Sequence, residues 1–130
     1  MDVPAYVHLL RAKDLADRCY AEPLDVPALA AEALCSEAHF TRSFKRAFGE
    51  TPARYLQRRR IERAAELLRA TDLPVTEVCL EVGFRSLGSF TSAFGRVMGE
   101  TPRAYRRREQ AADPAQVPGC FQLMWTRPSG

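Results

Sequence analysis

The side chains best suited to chemistry in this chain are a set that could read the edge of a base pair. Arg42 carries a planar fork of donors that matches the two major-groove acceptors of guanine. Glu37, Ala38, Thr41 and Lys45 share its side of any helix drawn through residues 37–48. A carboxylate, a methyl, a hydroxyl and two cations on one face can distinguish base edges by hydrogen bonding and apolar contact. Fifty positions later the corresponding residues are Leu87, Gly88, Thr91 and Ser92. These offer contact to a thymine methyl or one hydroxyl and little else, so discrimination is expected mainly from the first set. Phosphate contacts, which need donors and positive charge, are expected from Ser36, His39, Arg46, Arg54 and Arg58 beside the first set. Beside the second they are expected from Ser86, Ser89, Arg96, Arg103 and Arg106.

Other chemistries are poorly supplied. His8 and His39 are the only histidines, and neither lies in a motif that pairs a nucleophile with a base, so an enzyme is not expected. Cys19, Cys35, Cys79 and Cys120 are too scattered for a C-x-x-C metal motif. They read as reduced, partly buried thiols, and neither a metal nor another cofactor is expected. No apolar run reaches the ~20 residues of a membrane helix. Met1-Asp2-Val3-Pro4 has neither a basic start nor an apolar stretch of signal type. The expected location is the cytoplasm, in association with the nucleoid.

Charge supports the same chemistry through its placement. The formal net charge is only +3, but residues 36–63 hold eight Lys and Arg against three Asp and Glu, and residues 86–108 hold five against one. The stretches 1–35 and 64–85 are net acidic. Two separated basic blocks favour a polyanionic partner, double-stranded DNA in the first instance. The competing reading is an adaptor module whose basic faces bind an acidic protein. A steep salt dependence of duplex binding separates the two, because only the polyelectrolyte releases condensed counterions.

The elements that must hold these side chains are written twice. Phe40, Phe44, Gly49, Pro52 and Tyr55 recur as Phe90, Phe94, Gly99, Pro102 and Tyr105 at one offset of 50 residues. In each copy the phenylalanines mark the buried face of a helix, and Gly-Glu-Thr-Pro stops that helix and starts the next. Ser36 and Ser86 are N-cap residues, and Asp25 with Pro27 begins a short helix before the first of them. A short helix, a tight turn and a longer helix with a polar outer face form a helix-turn-helix layout. Upstream, Tyr6, Leu9, Leu10, Ala16, Cys19 and Tyr20 recur at helical spacing. Between the copies, Pro52 to Ala70 reads as one helix with Tyr55, Leu56, Ala64, Leu67 and Leu68 inward, a rigid spacer. Val75, Val78, Cys79 and Val82 repeat the short helix, followed by Phe90, Phe94, Val97 and Met98. The last helix is expected to end about Arg106-Arg107-Arg108. Beyond Ala111 the apolar run Cys120 to Trp125 is expected to pack back on the domain or to touch a partner.

Val78-Cys79-Leu80-Glu81-Val82-Gly83-Phe84, the spaced phenylalanines and Gly-Glu-Thr-Pro followed by tyrosine resemble the DNA-binding domain of AraC/XylS-type transcription regulators. The resemblance, which covers residues 4 to about 108, implies an all-α fold of about seven helices, two helix-turn-helix subdomains joined by a long linker helix; the helix-breaking stretch after Ala111 adds a short irregular C-terminal tail. The breaks at Thr51-Pro52, Thr71-Asp72 and Ala111 divide the chain into 1–51 (first helix-turn-helix subdomain), 52–71 (linker helix), 72–110 (second subdomain) and 111–130 (tail). The resemblance itself bears on residues up to about 108. It further implies a bacterial transcription factor, most often an activator that contacts RNA polymerase, placing one helix of each subdomain in successive major grooves. Two readers in one chain make a monomer on DNA the expected state. At 130 residues the chain is either a stand-alone regulator or a fragment of a longer one. Two departures stand out: Leu34 occupies a turn position where the family usually has glycine, and Ser92 stands where it often has a base-reading arginine. The first requires either a different turn or a strained leucine.

Overall fold

The computed structural model describes residues 3–22 and 24–112. The expectations for the apolar tail fall outside them. The helices are α1 Val3–Cys19, α2 Val26–Glu32, α3 Glu37–Phe48, α4 Pro52–Ala70, α5 Val75–Glu81, α6 Leu87–Met98 and α7 Pro102–Ala112. No strand occurs among the described residues. The chain divides into two compact units between Arg60 and Ile61, so α4 closes the first and opens the second.

Helix boundaries follow from local chemistry. Asp25 accepts the amide of Ala28 at 3.0 Å, Ser36 that of His39 at 3.2 Å and Ser86 that of Ser89 at 3.1 Å. Each satisfies an amide that the first helical turn leaves open. Thr51 and Thr101 do the same for Arg54 and Ala104, with Pro52 and Pro102 in the first turn, where no amide is missed. Gly49 (φ 86°) and Gly99 (φ 81°) stop α3 and α6 in the left-handed region.

The turn between α2 and α3 uses a strained leucine. Cys35 donates to the Ala30 carbonyl and Leu34 to that of Ala31, both at 3.0 Å. Phe84 and Gly83 make the same pair of bonds to Cys79 and Leu80, at 3.0 and 3.1 Å. Both are Schellman closures, which place the residue after the cap in the left-handed region. That residue is Gly83 (φ 97°) in the second unit and Leu34 (φ 59°) in the first. The turn is therefore not rebuilt around Leu34, and the leucine adopts the glycine conformation. The one extra residue of the second unit falls after the closure and before the Ser86 cap.

Each unit has its own core. In the first, Leu9, Ala12 and Ala16 of α1 pack with Leu29, Phe40, Phe44 and Leu56. In the second, Ile61, Ala64 and Leu68 of α4 pack with Val78, Val82, Phe90 and Phe94. The aromatic rings repeat: Phe44 lies 5.6 Å from Tyr55, and Phe94 lies 5.5 Å from Tyr105, between centroids. Tyr6 and Leu10 depart from the expected inward face of α1 and are 42% and 41% exposed, because Ala12 and Ala16 continue the stripe begun at Leu9. Val97 is likewise 38% exposed, and Ala93 takes the inner position instead. α7 runs on past Arg108 to Ala112, since Glu109, Gln110 and the alanines are good helix formers.

The closing helix of each unit also caps the opening one. Arg60 donates to the carbonyls of Tyr20, Glu22 (3.2 Å) and Leu24 (3.1 Å) beyond the end of α1. In the second unit Arg106 donates Nε to Leu68 at 3.1 Å and Nη2 to Thr71 at 3.2 Å, and Gln110 reaches the same carbonyls. A donor there meets carbonyls that have no helical partner, and in the first unit it brings a cation to a helix C-terminus.

Candidate nucleic-acid interface

α3 buries Phe40, Ser43 and Phe44 and turns its other side outward. The inward side is held by ring packing, with Phe40 and Phe44 5.5 Å apart and Phe48 4.7 Å from Phe44. Glu37, Ala38, Arg42 and Lys45 are exposed and Thr41 is half-buried, so the five expected base readers occupy the outer face together. Arg42, Lys45 and the neighbouring Arg46 have no side-chain partner among the described residues. A cation left in water has lost no solvation to a neighbour and retains all its donors for an external acceptor.

α6 repeats the frame with a different outer face. Leu87, Gly88 and Ser92 are exposed and Thr91 is half-buried. At position 95, the counterpart of Lys45, stands Gly95, and nothing lies within 4 Å of a Cβ built at Gly88 or Gly95. No packing among the described residues requires these glycines. The second face therefore presents backbone, two hydroxyls and one leucine that is 44% exposed.

The expected phosphate contacts fall into two groups. Ser36 and Ser86 accept a backbone amide through Oγ, which leaves each hydroxyl proton for an outside acceptor. His39 is exposed, with Nε2 3.4 Å from the buried Ser43 hydroxyl, so its ring is steered by a core polar group. Ser89, Arg46, Arg54, Arg96 and Arg103 are exposed. Arg58 and Arg106 differ: Arg58 pairs with Glu50 at 2.6 Å, and Arg106 donates to the carbonyls described above. Burial lowers the Arg106 pKa, although Asp72 opposes the shift, and burial alone lowers that of Arg60; both groups remain charged.

Several residues of the frame carry roles that residue type alone did not assign. Asp17 accepts from the Tyr55 hydroxyl and from Arg59 at 3.1 Å, with Lys13 at 3.7 Å. Burial chiefly, and then the Asp17 hydrogen bond, raises the Tyr55 pKa. The Tyr105 hydroxyl instead accepts from Arg69 at 2.8 Å. Glu50 and Glu100 bind Arg58 and Arg108, and the signal for both pairs was present in the repeat: glutamate at the corner and arginine eight residues on, in each copy. Among the described residues no group of three or more His, Cys, Asp and Glu side chains could hold a metal ion, and no helix is long and apolar enough to cross a membrane.

Comparison with known proteins places residues 29–108 in a helix-turn-helix domain family. The chain is similar to the DNA-binding domain of AdpA, a global transcriptional factor solved with a target DNA: 34% identity, TM-score 0.78, 82% of this chain and 96% of that one. It is also similar to the C-terminal domain of AraT, a response regulator from Geobacillus stearothermophilus: 31% identity, TM-score 0.73, 77% of this chain and 84% of that one. A third relative is YfiF of Bacillus subtilis, an uncharacterised HTH-type transcriptional regulator, 33% identical over 64 residues that make up 49% of this chain. The match spans 20% of the length of that relative.

Proposed function

The chain belongs to the AraC-type helix-turn-helix family of DNA-binding transcription regulators, and from that premise we propose that it reads duplex DNA with α3 and α6 in successive major grooves. The observation that carries this reading is the outer face of α3, where Arg42 and Lys45 stand beside Glu37, Ala38 and Thr41 with no side-chain partner among the described residues. Arg42 supplies a bidentate contact to guanine. α6 contributes fit and hydroxyl contact, so most of the sequence discrimination belongs to the half-site under α3. The backbone is held by Ser36, His39, Arg46 and Arg54 in one subdomain and by Ser86, Ser89, Arg96 and Arg103 in the other. Residues 1–51 and 72–110 serve as the two reading subdomains, with 52–71 as the helix between them. Major grooves on one side of DNA recur every ~34 Å, so one monomer with two readers needs no palindrome. The protein acts in the cytoplasm, on the nucleoid, as an activator that contacts RNA polymerase.

Selection of bound duplexes from a random pool, followed by substitution of each base pair, tests the reading. The expected outcome is one half-site where changes cost ~1–3 kcal/mol each and a second where they cost little. Equal selectivity in both half-sites refutes the division of labour. Binding should also weaken by about 10³–10⁵ between ~50 and ~200 mM salt if six or more phosphates are neutralised. A shallow dependence would refute duplex binding itself. Transcription from a promoter carrying the selected site, with and without the protein, decides between activation and repression.

A further inference from the structure

The glutamates of the two Gly-Glu-Thr-Pro corners have no part in reading bases, yet both are engaged in the same way. Glu50 receives Nη2 of Arg58 at 2.6 Å and Nε at 3.1 Å. Glu100 receives Nε of Arg108 at 3.1 Å together with its Nη2. Each arginine also lies against the tyrosine of its own helix: Arg58 is 5.3 Å from the Tyr55 ring centroid and Arg108 is 5.5 Å from that of Tyr105. Those tyrosines are the rings that pack on Phe44 of α3 and Phe94 of α6. A continuous set of contacts thus runs from the core of the reading helix, through tyrosine and arginine, back to the corner after that helix.

The corner itself offers little to fix an angle. Gly49 and Gly99 are left-handed, and nothing lies within 4 Å of a Cβ built on either. Glycine leaves the backbone free to turn there. The glutamate that follows spans this point and ties it to the helix beyond, through a two-donor fork that has one preferred orientation. Arg54 in the first unit and Arg103 in the second lie in the first turn of the helix so tied. We propose that the Glu50–Arg58–Tyr55 and Glu100–Arg108–Tyr105 braces are positioning devices for DNA binding. They hold the closing helix, with its phosphate-binding first turn, at a fixed angle to the reading helix. Arg58 and Arg108 act through that angle and make no phosphate contact. The inference rests on the proposed function and deepens it.

Charge gives the brace an unusual signature. Removing a carboxylate close to DNA ordinarily strengthens binding, because it removes repulsion from a polyanion. Removing a brace carboxylate should weaken it.

The test measures equilibrium binding of the full chain to a duplex selected as above, well below the unfolding transition, for Glu50→Ala, Arg58→Ala and the exchanged pair Glu50→Arg with Arg58→Glu. Each single variant is expected to bind about 3- to 10-fold more weakly. The exchanged pair is expected to recover to within about 2-fold, and the salt slope should stay unchanged throughout, since a lost phosphate contact lowers it by about 0.9. Urea unfolding of each variant accompanies the binding. Glu50 and Arg58 are half-buried, so the stability of each variant is measured beside its affinity and binding is read only where that variant is folded. Three results overturn the inference alone: a salt slope reduced by about one unit in Arg58→Ala, tighter binding by Glu50→Ala, or a stability loss with unchanged affinity. Failure of the exchanged pair to recover does so as well. A parent chain that binds no duplex with steep salt dependence overturns the proposed function, and the inference with it.

Discussion

Replacing Leu34 with glycine should stabilise the protein. The side chain is 72% exposed, so its removal forfeits little burial, while its backbone stands at φ 59°. A left-handed conformation costs an L-residue about 1–2 kcal/mol through the close approach of Cβ to the carbonyl that follows. Glycine escapes that cost but brings a more disordered unfolded chain, worth about 0.4–1 kcal/mol in the opposite direction. The net gain then lies between about 0 and 1.6 kcal/mol, centred on ~0.8 kcal/mol, which at ~3–6 °C per kcal/mol for a chain of this size is about 2–5 °C. The Schellman bonds of Leu34 and Cys35 should persist, because Gly83 makes the same bonds in the second unit. Urea and thermal unfolding measure the change, with Leu34→Ala as control. Alanine retains Cβ and therefore the strain, so it should gain almost nothing. Equal gains from alanine and glycine would show that exposure of the leucine, not its backbone, was the cost. A loss with glycine would refute the strain argument.

Further outcomes follow from particular side chains. Arg42→Ala should cost about 1–3 kcal/mol on the selected duplex and relax selectivity at one base pair, whereas a uniform loss on all duplexes would mark Arg42 as a phosphate contact. Burial holds the Cys79 thiol above its ordinary pKa of 9.0 and leaves it 3% exposed. At about pH 8 an alkylating reagent should modify Cys19 and Cys35 well before Cys79, read by peptide mass, and equal rates would contradict the packing. The same shift has a sign in stability. The thiol favours folding fully below the unfolded value of 9.0, and the advantage is lost as pH rises through the higher folded value. The hydrogen bond from Arg108 lowers the Glu100 pKa below 4.5, so its contribution is present above that value and lost as pH falls through the folded one. Urea unfolding of Glu100→Gln should therefore differ from the parent near neutrality and converge with it in acid; a constant difference would refute the linkage.

The frame was legible in the sequence because its determinants are local. Ser36, Ser86, Thr51 and Thr101 cap through the next turn of chain, and Gly49 and Gly99 stop helices by their own φ preference. Phe40, Phe44, Phe90 and Phe94 mark a buried face by spacing alone. The outer face of α3 was legible as their complement. Long-range partners were not. Asp17 meets Tyr55 across 38 positions and Arg59 across 42, and Arg106 reaches Leu68 across 38; no periodicity records such pairings. An arginine in a basic block looks the same whether it faces solvent, a glutamate or a helix end. Arg58 and Arg106 illustrate this, since only packing distinguishes them from Arg54 and Arg103. Tyr6, Leu10 and Val97 show the complementary difficulty: an apolar residue at nearly the right phase is displaced when an alanine fits the narrower contact.

Divergence between the two copies separates architecture from reading within one chain. Among the residues identical at the offset of 50, Glu50 and Glu100, Tyr55 and Tyr105, Arg58 and Arg108, and the paired phenylalanines have partners inside the protein, whereas Arg46 and Arg96 are exposed. The residues that differ most, Glu37 and Leu87, Arg42 and Ser92, Lys45 and Gly95, lie on outer faces, and none has a side-chain partner among the described residues. Glycine inside a helix costs about 1 kcal/mol relative to alanine. Gly88 and Gly95 incur that cost with open space around them, so the internal packing of the second unit does not account for them. Under the proposed function, this bareness suits a groove wall approached by backbone. Thr41 and Thr91, alike and half-buried in both copies, stand at the border between the two classes. A β-branched hydroxyl carries a methyl suited to packing and an oxygen suited to hydrogen bonding, so one residue type fits a half-buried position between the two classes.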